Sequence, residues 1–306
     1  IFITYTMYIE DVNRTLTIDD EIVVADMRDV SNEEAENFFV FCENIGFEEN
    51  HVTYEQYKRL KQRYRINNMV ETEGIIEKQR MIKDDEEIEN IKKACEITDE
   101  CFKHLLEYIK EGMTEKQVAL EIETFFKTHG ADGVSFDTIV AFGENSSIPH
   151  WIPSERKVKM ADPILIDMGC KYKGYCSDMT RTIFMGCILE EIKPVYDLVL
   201  KNQEYVLNEI RHNYNIKTIS RSIEDSYKLN NYTLIHGLGH GVGLEIHEMP
   251  NVNIRNESFL KENMVVTDEP GIYLPGKYGI RIEDTVLITK NGCETLTHSD
   301  KHYVVI

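Results

Sequence analysis

Downstream of position 84 the apolar residues Ile88, Ile91, Cys95, Phe102, Leu105, Leu106 and Ile109 fall near one face of a 3.6-residue helix. Asp84 or Asp85 stands where an N-cap is needed to start it. Gly112 stops that helix, and Thr114-Glu-Lys-Gln117 has the capping-box spacing of another, whose apolar face carries Val118, Ile122, Phe125 and Phe126. The order recurs downstream, where Val195 to Ile210 and Ile216 to Leu229 predict a second helix pair, again followed by a glycine-rich, strand-like stretch. Between and after the pairs, Pro163 to Met168, Asp178 to Phe184, Met264 to Thr267 and Ile280 to Ile288 carry the alternating or continuous apolar runs of strands. A helix pair leading into strands, twice over, predicts an α+β fold with a mainly antiparallel sheet and a duplicated half.

The first 78 residues are less regular. They predict a strand at Glu21-Ile-Val-Val-Ala25 and helices near Asn32 to Ile45 and Thr53 to Arg63, with no visible chemistry. A domain boundary just before the long helix separates a small region, 1–78, from a large one, 79–306.

Charge narrows the partners. With 54 acidic against 34 basic residues the formal charge is -20, which repels phosphate backbones and anionic lipid head groups, so neither nucleic acid nor a membrane is expected as a partner. Seven cysteines, at 42, 95, 101, 170, 176, 187 and 293, include no Cys-x-x-Cys pair and cannot close an even disulfide framework. Free thiols in a reducing cytoplasm are the expectation. The apolar stretch Ile1 to Ile9 is broken by threonines and is far short of the roughly 20 residues that a membrane helix requires.

The candidate chemistry sits in three segments. In Ile164 to Phe184 two strand-like runs flank a glycine-containing turn, which predicts a hairpin. A turn centred between Tyr172 and Lys173 places Asp167 directly opposite Asp178, and two carboxylates that close repel unless a proton or cations sit between them. Read alone, these aspartates equally well punctuate strand ends. In His236-Gly-Leu-Gly-His240-Gly-Val-Gly-Leu-Glu-Ile-His247, three histidines in twelve residues are interleaved with four glycines. Glycine lets backbone approach a ligand, and neutral imidazole is a common metal ligand and proton carrier. This density implies one metal-binding histidine and two that handle substrate. Glu269 ends the strand before Pro270, and Gly279-Ile-Arg-Ile-Glu-Asp284 points Arg281 and Glu283 to the face opposite Ile280 and Ile282. In isolation that last pair also fits a surface salt bridge. Four carboxylates with one imidazole form a mostly oxygen donor set that suits two ions of Mn, Co, Fe or Zn better than a structural zinc site.

In their order along the chain, Asp167, Asp178, His240, Glu269 and Glu283 resemble the five ligands of the pita-bread metallopeptidases. Gly143-Glu-Asn-Ser-Ser-Ile-Pro-His150, the His-Gly-Leu-Gly-His-Gly run, Gly-Ile-Arg-Ile-Glu-Asp and Arg80-Met-Ile-Lys83 look like its Xaa-Pro dipeptidase and aminopeptidase branch. The resemblance implies a pita-bread catalytic domain with a pseudo-twofold repeat, two divalent ions with manganese first, and a short proline-containing peptide as substrate. It makes Asp167 a ligand to one ion, Asp178 and Glu283 bridges, and His240 and Glu269 the remaining ligands, Glu269 doubling as proton shuttle. His150, His236 and His247 match histidines that contact substrate, and Arg281 orients the site. A homodimer follows from the same likeness. The region before residue 79 is shorter than the family's usual amino-terminal domain, so the start reads as truncated. Cleavage before proline is expected, with a dipeptidase favoured over an aminopeptidase. A methionine aminopeptidase surrounds the last glutamate differently, and a non-catalytic pita-bread binding module typically lacks ligands that are all filled here.

Overall fold

Thr53 accepts from the Gln56 amide while the Gln56 side chain accepts from the Thr53 amide, and this capping box opens α1 (Tyr54–Arg63) as its sequence predicts. The computed structural model describes residues 2–4, 7, 8, 10, 24–26 and 43–306. The helix expected near Asn32 to Ile45 lies almost wholly outside those residues, and Ile45 itself opens a strand. Two compact units emerge, residues 1–75 and 76–306. In the smaller, β1 (Phe2–Thr4) runs parallel to β2 (Val24–Asp26), and β3 (Ile45–Glu48) runs parallel to β4 (Met69–Thr72). Parallel neighbours need a crossover, which α1 provides between β3 and β4. The rings of Phe47 on β3 and Tyr57 on α1 meet at 5.1 Å. Helix α2 (Ile75–Arg80) follows.

In the larger unit, Asp84 and Glu87 form the capping box of α3 (Asp85–Tyr108), and Thr114 and Gln117 that of α4 (Glu115–Thr128). Gly112, at φ +87°, supplies the left-handed residue between them. The second pair is α5 (Lys193–Glu209) and α6 (Ile216–Leu229), the latter capped by Asn215. The strands are β5 (Gly133–Val134), β6 (Ile139–Phe142), β7 (Pro163–Met168), β8 (Cys170–Tyr172), β9 (Tyr175–Cys176) and β10 (Met179–Phe184) in the first half. Those of the second half are β11 (Gly239–Gly241), β12 (Glu248–Val252), β13 (Val265–Asp268), β14 (Gly271–Leu274), β15 (Tyr278–Arg281), β16 (Asp284–Ile288) and β17 (Cys293–Thr295). Every pairing between these strands is antiparallel.

Each helix pair covers its own sheet. Ile97, Phe102, Ile122 and Phe126 pack on Ile164 and Ile166 of the sheet ordered β10–β7–β6. Val199, Val206, Ile219 and Ile223 pack on Val266 and Val286 of the sheet ordered β12–β11–β13–β16–β17. Each such side chain contributes about 1.5–3 kcal/mol of burial. Alternation along β7 then sends Leu165 and Asp167 to the face away from the helices, where Leu165 joins Ile139 and Ala141. Ile280 and Ile282 likewise enter the helical core, leaving Arg281 and Glu283 on the other side.

One expected strand is two. The run Ile280 to Ile288 breaks after Arg281, because β15 pairs with β14 whereas β16 pairs with β13 and β17. In the gap the Glu283 amide donates to Thr180 O at 3.1 Å, outside either ladder. The six described cysteines are all free. No helix among the described residues is long and apolar enough to cross a membrane.

Candidate metal centre

The hairpin that carries the two aspartates turns one residue later than expected. Lys173 and Gly174 both have positive φ, 47° and 83°, which makes them the central residues of a two-residue turn and pairs Tyr172 with Tyr175. Carried down the ladder, this register sets Asp167 opposite Thr180, so Asp178 lies two residues from the expected position. A two-residue offset keeps the face, whereas a one-residue slip would have turned Asp178 away. The two aspartates are therefore diagonal neighbours. Gly169 is required where the strands pinch, since a Cβ there would lie 1.9 Å from Ser177 O.

Asp178 meets residues of the other half. Ligand atoms of Asp178, His240 and Glu283, all buried, lie within 4.8 Å of one another. His240 Nδ1 is 3.1 Å from Gly241 O, so the proton belongs on Nδ1 and the Nε2 lone pair faces Asp178 Oδ2 at 3.4 Å and Glu269 Oε1 at 3.5 Å. Gly239 lets the backbone in this close, because its Cβ would fall 2.1 Å from Thr267 O. Thr267 Oγ1 accepts from the His240 amide at 3.0 Å and donates to Glu269 Oε1 at 3.4 Å, tying both side chains to β13.

Arg281 and Glu283 do not pair with each other. The Arg281 guanidinium, 4% exposed, donates to Asp167 Oδ2 at 2.5 Å, to Thr180 Oγ1 at 3.0 Å and to Tyr273 Oη at 2.7 Å. Glu283 instead accepts from Thr180 Oγ1. Thr180 and Tyr273 thus complete the site, although neither belongs to a motif visible in the sequence. Burial pushes the Tyr273 hydroxyl up to about 12 against the pull of Arg281, so it keeps its proton to donate to His236 Nε2 at 3.0 Å. With Nδ1 directed at Gly237 O, 2.7 Å away, His236 is a neutral imidazole, and burial lowers its pKa.

The carboxylates have too little positive charge beside them. Burial drives Asp178 and Glu283 well above the usual carboxylate range, and repulsion from Asp167 and Glu269 adds to it. Burial raises Asp167 as well, outweighing Arg281. Asp167 Oδ1 is buried without a hydrogen-bond partner. A crowded carboxylate group, an orphan buried oxygen and an imidazole with its lone pair turned inward fit divalent cations, whose charge offsets the repulsion.

Asp167, Asp178, His240, Glu269, Glu283, His150, His236, His247 and Arg281 all line one cleft of about 820 Å³, a size usual for small-ligand sites. His150 and His247 are exposed at its rim. The His247 ring meets that of His240 edge-on at 4.3 Å. The loop carrying His247 is anchored through Glu248, which pairs with Arg80 and with the buried Lys83 Nζ at 3.3 Å. That clamp accounts for the basic residues of Arg80-Met-Ile-Lys83.

Comparison with known proteins adds a family. Residues 89–290 match the model of metallopeptidase family M24, and residues 2–82 that of the creatinase/prolidase N-terminal domain. The chain is 40% identical over 262 residues to an Xaa-Pro dipeptidase of Pyrococcus furiosus, covering 85% of this chain and 75% of that protein. A structure described as an Xaa-Pro dipeptidase from Bacillus anthracis superimposes with a TM-score of 0.91 at 34% identity, over 99% of this chain and 86% of that one. An X-Pro aminopeptidase from Thermotoga maritima gives a TM-score of 0.91 at 35% identity, over 99% and 87%. The fold is the pita-bread fold that the sequence motifs implied.

Proposed function

The chain belongs to metallopeptidase family M24, and from that membership we propose that it is a dinuclear metallo-exopeptidase that hydrolyses the peptide bond before proline, acting chiefly on Xaa-Pro dipeptides. The observation that carries this reading is the convergence of the carboxylates of Asp167, Asp178, Glu269 and Glu283 and of four histidines on one cleft. Asp167, Asp178, His240, Glu269 and Glu283 would hold the ions, manganese by preference. Bound there, two divalent cations supply Lewis acidity and lower the pKa of a water toward neutrality.

The remaining steps fall to side chains. Glu269 is only half-buried and open to the cleft, so its carboxylate takes the proton of the attacking water and delivers it to the proline nitrogen. The nitrogen of a bond before proline carries no hydrogen and leaves as a secondary amine, so that delivery is what releases it. Arg281 holds Asp167 in place, and Tyr273 holds His236 neutral. His150 and His247, at the rim, orient the substrate and stabilise charge developing on its carbonyl oxygen, a role in which one preorganised donor is worth about 3–4 kcal/mol. The proposal also takes the catalytic domain as 79–306 behind a small domain of 1–78, in a cytoplasmic homodimer.

The likeness to the Thermotoga maritima X-Pro aminopeptidase, as strong as that to the dipeptidase structure, supports a second reading, cleavage of longer peptides. Hydrolysis of an Xaa-Pro dipeptide and an Xaa-Pro-Yaa tripeptide, with manganese or cobalt and again with chelator, separates them. Metal-dependent cleavage of the dipeptide alone is the expected result. Preference for the tripeptide makes the enzyme an aminopeptidase, and cleavage of neither under any metal refutes both.

A further inference from the structure

Glu115 is fully buried, lies outside the cleft and has no part in the chemistry above. It is the first residue of α4, where the helix dipole favours a negative charge. Its carboxylate accepts five hydrogen bonds, all from the segment that carries His150. Oε1 takes the Phe142 amide at 2.8 Å and Asn145 Nδ2 at 2.8 Å. Oε2 takes Trp151 Nε1 at 2.8 Å, the Ser154 amide at 2.9 Å and Ser154 Oγ at 2.6 Å. Two donors precede His150 and three follow it, so one carboxylate grips both ends of the loop.

The crown of that loop needs such a grip. Ile148 is 48% exposed and Ile152 82%, so apart from Trp151, which packs on Ile139, Ala141 and Leu165, burial does little to hold the residues around His150. Two weaker ties come from β15: the Gly279 amide donates to Ser146 Oγ at 2.8 Å, and Arg281 Nη1 reaches Pro149 O at 3.5 Å. The carboxylate contacts the chain on both sides of the histidine with charge-assisted bonds, whereas the ion pair that also spans the loop, Arg156 Nε to Glu144 Oε1, is long at 3.8 Å.

We propose that Glu115 is a positioning residue for the proposed reaction, setting where His150 stands over the cleft by clamping residues 142–154 against the start of α4. The inference rests on the function proposed above. In Glu115→Gln the amide can turn only one oxygen to these donors and opposes the rest with its own N–H groups. The expected result is a fall of about 100-fold in kcat/KM, the scale of a displacement of about 1 Å in a positioned group. Bound metal per chain stays at the wild-type value.

The test is a double-mutant cycle with His150→Ala, read beside metal content and amide hydrogen exchange. If Glu115 acts through His150, Glu115→Gln costs little further in the His150→Ala background, and exchange quickens in 142–154 but not in α3 or β7. Multiplying effects, loss of metal in Glu115→Gln, or unchanged exchange in the loop would each overturn it. Ser154→Ala, which removes one donor and leaves the carboxylate, replaces Glu115→Gln in the cycle if that variant does not fold, and should show a smaller effect in the same direction. If the wild-type enzyme cleaves no proline peptide, the functional reading has failed, and the exchange measurement still decides whether Glu115 holds the loop.

Discussion

Arg281 shows how far a side chain can be read from its neighbours in sequence and where that reading stops. Its place two residues before Glu283 was legible, and so was the face the two share, because strand periodicity fixes both. Its partner was not legible, since Asp167 is 114 residues away in the chain. Tyr273 and Thr180 were missed because a lone hydroxyl in a strand carries no spacing signal. Glu115 was visible only as a helix-start residue. In the structure three different N–H groups of Arg281 reach Thr180, Tyr273 and Asp167, a geometry that a lysine ammonium on a flexible stem cannot reproduce. Arg281→Lys should therefore lower metal affinity or peptide turnover by about 10–100-fold, the usual cost of losing a ligand's supporting partner. Calorimetric titration with manganese and steady-state hydrolysis would show it, and wild-type values in both would refute the role.

Among the elements, the capped helices followed local rules, and those beginning at Tyr54, Asp85 and Glu115 start where their capping boxes stand. The hairpin register did not, because the strand pattern is compatible with several turn positions and only the left-handed pair Lys173-Gly174 selects one. The split of Ile280 to Ile288 was equally invisible, since both parts are apolar and only their ladder partners differ. What joins β10 of the first half to β16 of the second is a buried ion pair, Arg181 Nη2 to Asp284 Oδ1 at 2.6 Å, with neither side chain more than 1% exposed. Burial works against the Asp284 charge, but Arg181 and Lys301 outweigh it and hold the carboxyl below its usual value. Because the folded pKa is the lower one, this stabilisation is complete above the unfolded value of about 3.9 and disappears as pH falls through the folded value. Asp284→Asn leaves Arg181 buried and unpaired, so a loss of about 3–5 kcal/mol is expected at neutral pH, narrowing below about pH 4. Urea unfolding at both pH values checks this, and a neutral-pH loss under about 1 kcal/mol would contradict it.

At the scale of the larger unit, the site exists because two similar halves each bring part of it: Asp167 and Asp178 from one, His240, Glu269 and Glu283 from the other. Crowding these carboxylates opposes folding unless cations are bound, so removing metal should destabilise the protein. With metal at about 100 times its Kd, the linkage is worth about 2.7 kcal/mol, or roughly 5–10 °C in melting temperature for a unit of this size. Calorimetric melting with and without chelator measures it, and coincident melts at saturating metal would rule out these residues as the ligands. The sequence by itself determined the helix pairs, the strand-rich halves, the identities and order of the proposed ligands and the cluster of glycines among histidines, because periodicity, capping and donor chemistry are local properties. Only the tertiary structure decided which atoms meet: the diagonal placement of the two aspartates, the Arg281–Asp167 pair, the tautomers of His236 and His240 and the grip of Glu115 on the His150 loop. Those depend on contacts between segments far apart in the chain, and no local pattern encodes the distance between them.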